Sequence, residues 1–241
     1  MSKKYLDQPF DIHQGGIDLV FPHHENEIAQ SEAAYGKKFA NFWLHHEHLL
    51  VDGKKMSKSL GNFYTLEDLE NQGYEPLAIR LFLLSTHYRQ KLNLTHDSLI
   101  AARNSLKRIR DFILDNENKE DGLEIPELIR KTKDEFIESM NDDLNVSKGL
   151  STLFSFIRHA NNLGAGKKAT EFMKEISDIF GIIILDKEIP EEVFQLAEQR
   201  KQARENKDWE NSDKLRDEIK QKGYEIRDTQ ENSKGYVLRK L

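Results

Sequence analysis

DIHQGGIDLVFPHHENEIAQSEA, residues 11–33, and VDGKKMSKSLGNF, residues 51–63, are the two segments on which the reading of this chain turns. The first continues a strand-like stretch, Phe10–His13, that leads to Gly15-Gly16. Paired glycines after a strand let a ligand approach the backbone closely, and Asp18, two residues on, can accept from ribose hydroxyls. Phe21-Pro22-His23-His24-Glu25-Asn26-Glu27 follows. If Pro22 opens a helix, His23 and Glu27 fall at i and i+4 on one face, where an imidazole and a carboxylate can share a zinc ion. His24-Glu25 begins like a metalloprotease H-E-x-x-H, but the second histidine position is Ile28, which excludes that reading. In the second segment Lys55 and Lys58 stand three apart with hydroxyls around them, between Gly53 and Gly61. Such a loop can wrap charge and donors around a polyphosphate and stabilise the charge that develops as pyrophosphate leaves. Each motif alone has a plainer alternative: a tight turn with a capping Asp, an acidic helix start favoured by the dipole, and a solvated lysine-rich turn.

Outward from these segments, Phe10–His13 and Ile17–Phe21 read as strands and His48–Val51 as a third, with a helix from about His24 to Tyr35. The alternation predicts an α/β layer. Sixty residues cannot close a doubly wound sheet, so this layer reads as the tail of a larger domain. Past Leu66 the pattern turns helical. Pro76 starts a helix through Leu84, and His96–Leu114 carries Leu99, Ile100, Leu106, Ile109 and Ile113 near the three-four spacing of a buried stripe. Asn116–Gly122 reads as a loop, and Pro126–Met140, Ser147–Asn161 and Lys167–Phe180 as further helices of a bundle. Residues 181–190 read as a boundary. Beyond them come helices at Glu191–Asn206 and Asn211–Lys222, then a hairpin of Tyr224–Arg227 and Tyr236–Arg239 joined across 228–235.

Composition sets the frame. At 241 residues the chain is long enough for one or two domains. Hydrophobic residues make up 37%, charged residues 32%, and the mean hydropathy is −0.72. No apolar run approaches the roughly 18 residues of a membrane span, and no hydrophobic segment follows the first lysines, so a membrane partner and a signal peptide are not expected. There is no cysteine, which removes disulfides, a thiol nucleophile and any cysteine-based zinc cluster from this chain. Net charge is −6, yet residues 191–241 balance 12 Lys/Arg against 12 Asp/Glu, leaving local basic patches open. Six of the nine histidines lie before residue 50, so the front of the chain reads as a site.

In this order the segments resemble the second half of the catalytic domain of cysteinyl-tRNA synthetase, a class I aminoacyl-tRNA synthetase. The K-M-S-K-S run indicates only class I; DIH-x-GG-x-DL and FPHHENEIAQS indicate the cysteine enzyme. The resemblance continues through LAIRLFLLSTHYR (Leu77–Arg89), MNDDLNVSKGL (Met140–Leu150) and RKQARENKDWENSDKLRDEI (Arg200–Ile219). It implies a fold class: an α/β remnant of a Rossmann-type catalytic domain, then a mainly α-helical bundle and a small α+β C-terminal domain. The implied boundaries are 1–62 for the catalytic part, 63–94 for connecting helices, 95–187 for the bundle and 188–241 for anticodon recognition.

It also implies roles. Lys55, Lys58 and His13 would be catalytic, with Lys58 on the phosphates of ATP (as its Mg2+ complex) and His13 beside the amino-acid substrate. Gly16 and Asp18 would meet adenosine. His23 and Glu27 would ligate Zn2+ with two cysteines that this chain does not contain, and Arg227 and Arg239 would contact RNA. Implied partners are tRNA(Cys), ATP and cysteine, for a cytoplasmic monomer. The family's HIGH motif and both zinc cysteines precede the matching segment, so the expectation is an N-terminally truncated form, inactive by itself. Two other readings stay open: a non-catalytic tRNA-binding module, and the cysteine ligase of mycothiol synthesis.

Overall fold

The structure is a computed structural model that describes residues 2–182, 190–228 and 236–240, the last of these by backbone alone at 237, 239 and 240. Most of the expected boundary at 181–190, and the hairpin turn with Lys234, lie outside the described residues. The chain divides into two compact units, 1–183 and 184–241.

The first unit opens with a short helix α1 (Ser2–Leu6) and then a strand–helix–strand unit: β1 (Phe10–Gly16), α2 (Glu25–Tyr35) and β2 (Ala40–His46). β1 and β2 are parallel, with His13 opposite Trp43, Gly15 opposite His45 and Gly16 opposite His46. Phe10, Phe39 and Ala40 form its small core. Ile17–Phe21 departs from expectation. Ile17–Leu19 is a tight helical turn and Val20–His24 a wide one kinked at Phe21, because this apolar run finds no strand to pair with among the described residues. Ile17 and Phe21 are accordingly exposed. Pro22 lies inside the wide turn, so α2 begins at Glu25 instead of at the proline.

β3 (Leu49–Val51) pairs antiparallel with β4 (Lys54–Lys55) and parallel with β5 (Leu92–Leu94). Asp52 and Gly53 both take positive φ, 49° and 73°, the requirement of the two-residue hairpin turn that an Asp-Gly pair satisfies. Between these strands lie α3 (Leu66–Asn71) and α4 (Pro76–Leu84). Val51, Leu69, Ile79, Phe82, Leu94 and Leu99 bury together, and Met56 of the lysine loop packs on them. The loop is thus anchored at its centre by an apolar side chain.

α5 (His96–Asn116), α6 (Ile125–Asn141), α7 (Val146–Leu163) and α8 (Lys167–Phe180) make the bundle. Thr95 and Ser98 form a reciprocal cap at the start of α5, a device worth about 1 kcal/mol. Of the stripe predicted from spacing, Leu99, Leu106, Ile109 and Ile113 are at most 1% exposed while Ile100 is half-buried, and Leu153, Ile157, Met173 and Ile176 of α7 and α8 are buried as well. The polar loop at 116–122 has a structural task, since Asp121 accepts from Gly166, Lys168 and Ala169 amides and caps α8 from a distance. Arg80 of α4 donates to the Phe180 carbonyl at the end of α8, 2.7 Å away.

The second unit contains α9 (Glu191–Glu205), α10 (Trp209–Gln221), and the antiparallel pair β6 (Tyr224–Asp228) and β7 (Tyr236–Lys240). Val193, Ala197, Ile219, Tyr224, Ile226, Tyr236 and Leu238 form its core.

Candidate active site and metal-binding cluster

Two features adjoin at the end of β1. The first is a cleft of about 570 Å3 whose wall includes Gly16, Asp18, His46, His48, Lys55, Met56, His87 and Tyr88. β1 delivers Gly16, the hairpin delivers Lys55, and the segment after α4 delivers His87 and Tyr88. Lys55 therefore comes to the same cleft as Gly16 and Asp18, from a distant part of the chain. His48 Nε2 lies 3.9 Å from Asp18 Oδ1 across this space.

The lysine loop is held by its own side chains. Asn62 accepts from the Ser57 amide (2.9 Å) and donates to the Lys55 carbonyl (3.1 Å), and Gly61 closes the turn at φ 65°. Lys58 does not line the cleft; its ammonium sits 5.5 Å from the centre of the Phe63 ring.

The second feature is a histidine cluster under β1. His13, His24 and Glu27 bring one potential ligand atom each to within 4.8 Å of one another. His13 Nε2 is 2.9 Å from Glu27 Oε2. That approach is not directed as a hydrogen bond, and Glu27 Oε2 is buried without a hydrogen-bond partner among the described residues. His24 is 3% exposed, and its Nδ1 is 2.8 Å from His45 Nε2. Burial first, then the neighbouring His13 and His45, push the His24 pKa below its usual value, so the ring is neutral at pH 7. Trp43 packs against His13 and His24, with ring centres 4.7 and 5.1 Å away. His23 lies apart: its side chain is 61% exposed and approaches Glu27 Oε1 only to 3.8 Å.

Gly15 serves this cluster directly. A Cβ there would fall 2.7 Å from His24 Cε1 and 2.9 Å from Nε2, so the missing side chain makes room for an imidazole and not for an incoming ligand. Sequence spacing does not mark His24 and His45, nor His87 and Tyr88. Crowding of six histidines before residue 50 is the available signal for the first two; nothing in the local sequence marks the others.

The residues present fit a zinc ion in part. The pair expected from the resemblance, His23 and Glu27, supplies two donors, whereas the His13, His24 and Glu27 atoms supply three, one of them an orphaned buried carboxylate oxygen.

In the second unit, Arg227 Nη2 lies 3.1 Å from Glu225 Oε2, and Arg239 stands opposite Glu225 in the β6–β7 register; the Arg239 side chain is outside the described residues. Asp228 receives both terminal nitrogens of buried Arg200 at 2.8 and 3.3 Å. That contact, with Arg204 adding to it, holds the Asp228 pKa below its ordinary value.

A strand–helix–strand unit that presents a glycine turn and part of a K-M-S-K-S loop to one cleft, followed by a helical bundle, is the arrangement of a class I aminoacyl-tRNA synthetase catalytic fragment with its helical region. Residues 1–104 match the class I (C) tRNA synthetase catalytic domain, 135–184 the DALR domain, and 186–234 the cysteinyl-tRNA ligase anticodon binding domain. A solved leucyl enzyme, the LeuRS of Agrobacterium radiobacter K84 in ternary complex with tRNA and LeuAMS, shares the fold: TM-score 0.60 at 15% identity, over 73% of this chain and 26% of that one.

Curated relatives narrow the class. The cysteine–tRNA ligase of Protochlamydia amoebophila is 45% identical over 97% of this chain and 52% of its own length. That of Chlamydia felis is 44% identical over 97% and 52%, and that of Caldicellulosiruptor saccharolyticus 42% over 97% and 54%. The chain belongs to the cysteinyl-tRNA synthetase family and spans about half the length of the curated relatives it matches.

Proposed function

We propose that this chain supplies the K-M-S-K-S side of the nucleotide site, together with the tRNA-facing parts, of a cysteine–tRNA ligase that activates cysteine with ATP and transfers it to tRNA(Cys). The observation that carries this reading is the convergence of Gly16, Asp18 and Lys55 on one cleft. Adenosine lies against Gly16, whose lack of a side chain admits the ring, and Asp18 accepts from the ribose. Lys55 meets the phosphates of magnesium ATP. Lys58 joins it by leaving the Phe63 face, a contact worth only about 0.5–1 kcal/mol at an exposed site, and the two ammonium groups offset charge as the cysteine carboxylate displaces pyrophosphate. His13 borders the amino-acid side. The metal of the family holds the substrate thiolate when bound, which discriminates against a serine hydroxyl; Glu27 is the donor common to the expected pair and to the observed cluster. The hairpin with Arg227 and Arg239 reads the anticodon. The setting is the cytoplasm, with the chain acting as a monomer; among the described residues no helix is long and apolar enough to cross a membrane.

The test is binding of ATP and of tRNA(Cys) to the purified chain. Lys55→Ala should weaken ATP binding by about 1–2 kcal/mol, the size of one charge-assisted contact, while leaving tRNA affinity unchanged. Neutralising Arg227 and Arg239 should weaken tRNA binding and lower its salt slope by about one for each phosphate that is no longer neutralised. Binding of tRNA with no detectable ATP binding would favour a tRNA-binding module instead.

A further inference from the structure

We propose that Asn62 is a positioning residue of the lysine loop: its carboxamide clasps the backbone on both sides of Met56 and so holds Lys55 at the cleft wall, leaving Lys58 outside the clasp. This deepens the nucleotide reading above and rests on it. The observation is a pair of hydrogen bonds made by one planar group. Asn62 Oδ1 accepts from the Ser57 amide at 2.9 Å, and Asn62 Nδ2 donates to the Lys55 carbonyl at 3.1 Å. A carbonyl and an amide two residues apart are the pair that one residue of a neighbouring parallel strand would engage. β4 ends at Lys55, where that residue pairs with Leu50, so the Asn62 side chain takes over where the strand ladder stops. A carboxamide suits the task because it carries an acceptor and a donor together. Aspartate, nearly the same shape, keeps the first bond but sets a second acceptor against the Lys55 carbonyl.

Two further contacts make the clasped segment a fixed one. Met56, between the two clasped residues, packs on the core of Val51, Leu69, Ile79 and Phe82. Gly61 donates its amide to the Lys58 carbonyl at 3.1 Å, in the left-handed conformation that glycine adopts without strain, and this tight turn brings Asn62 back beside Lys55. Lys55 is therefore held by the β3–β4 ladder and by Asn62, and it lines the cleft. Lys58 lies beyond the clasp, exposed, with its ammonium against Phe63. An ammonium group fixed before its ligand arrives loses less freedom on binding. Of the two lysines, one is thus preset for the phosphates and the other swings in.

The experiment is calorimetric titration of the full chain with magnesium ATP, arranged as a double-mutant cycle. Lys55→Ala sets the ceiling, about 5–30-fold in affinity for one charge-assisted contact. Asn62→Ala should weaken binding by about 3–10-fold, below that ceiling. In the Lys55→Ala background it should cost less than about twofold more, because the residue through which Asn62 acts is gone; a general loosening of the protein would give additive losses instead. Circular dichroism checks that the variants keep the fold, which the half-buried position of Asn62 favours. Additive losses, or an Asn62→Ala affinity within about twofold of the unaltered chain, overturn the proposal. Absence of ATP binding by the unaltered chain would instead refute the nucleotide reading, and the clasp is then decided without nucleotide. Tryptic cleavage between Lys55 and Met56, followed by mass spectrometry, should quicken at least ~5-fold in Asn62→Ala and in Asn62→Asp, and an unchanged rate overturns the clasp.

Discussion

Alanine at Gly15 should damage this protein far more than alanine at Gly16, although the two are neighbours in one motif. At Gly15 the new Cβ would stand 2.7 Å from His24 Cε1, 2.9 Å from His24 Nε2 and 3.0 Å from Leu19 Cδ1. Ordinary carbon contacts lie near 3.5–4.0 Å, so the His24 ring must retreat by roughly 0.7 Å. It has little freedom to do so, being buried, packed on Trp43 and bonded to His45. Overpacking of this kind costs about 1–3 kcal/mol, and a broken His24–His45 bond adds about 1 kcal/mol. The expected loss is therefore about 2–4 kcal/mol. At Gly16 the Cβ would meet only Asp18, with Oδ1 at 2.5 Å. The Asp18 side chain is 64% exposed and can rotate away, and Gly16 already has φ −69°, which alanine accepts. Its stability cost should stay within about 0.5 kcal/mol. Urea unfolding gives the two values, and hydrogen exchange of β1 and β2 amides localises the difference. Equal stability of the two variants would refute the view that Gly15 exists to seat His24.

Two further outcomes follow from charged contacts. Asp228→Asn leaves the Arg200 guanidinium, 4% exposed, without its counter-charge. Loss of one partner of a fully buried pair costs about 3–5 kcal/mol, and since Asp228 is itself half-exposed, about 2–3 kcal/mol is expected here. The second unit should then melt ahead of the first, with early exchange of α9 amides; an unchanged melting profile contradicts the role given to this pair. Asp143 is held near pKa 2 against an ordinary 3.8, by Arg89 first and by the Tyr88 hydroxyl next. A carboxylate with a depressed folded value stabilises above its unfolded pKa and loses that contribution as pH falls through the folded one. The clamp should thus be intact at pH 5 and released between about pH 4 and pH 2, visible as rising exchange at the Asp142–Asn145 turn; Asp143→Asn should abolish that pH dependence, and its persistence in the variant would rule Asp143 out as its source.

How much is legible in the sequence depends on the range of the interactions involved. α8 is found residue for residue at Lys167–Phe180, because its stripe is local and glycines flank it on both sides. β2 at Ala40–His46 has no such local mark: a strand that pairs in parallel with β1 is specified by a partner some thirty residues away, and ANFWLHH has no clean alternation of its own. The same limit governs the site. Spacing marks His23 and Glu27 as neighbours on a helix, but the wide turn at Val20–His24 decides which imidazole faces β1, and that turn is a tertiary outcome. The cleft residues divide likewise. Gly16, Asp18 and Lys55 announce themselves by motif, whereas Tyr88 enters only because α4 ends where it does.

Tyr88 also shows how the cleft is tied to the bundle. Its ring lines the cleft, while its hydroxyl donates to Asp143 Oδ1 at 2.5 Å, and Arg89 donates to the same carboxylate at 2.5 and 3.2 Å. His87, another wall residue, lies 3.1 Å from the Asp143 backbone oxygen. Asp143 and Leu144 both hold positive φ, 54° and 53°, conformations that cost non-glycine residues about 1 kcal/mol or more each. The turn between α6 and α7 persists in that shape because Tyr88 and Arg89 hold it, together with the Asn145 cap on α7. A shift of the α6–α7 turn would therefore be felt first at the part of the cleft wall made by His87 and Tyr88. The bundle and the cleft share one set of charge-assisted hydrogen bonds, and what displaces one rearranges the other.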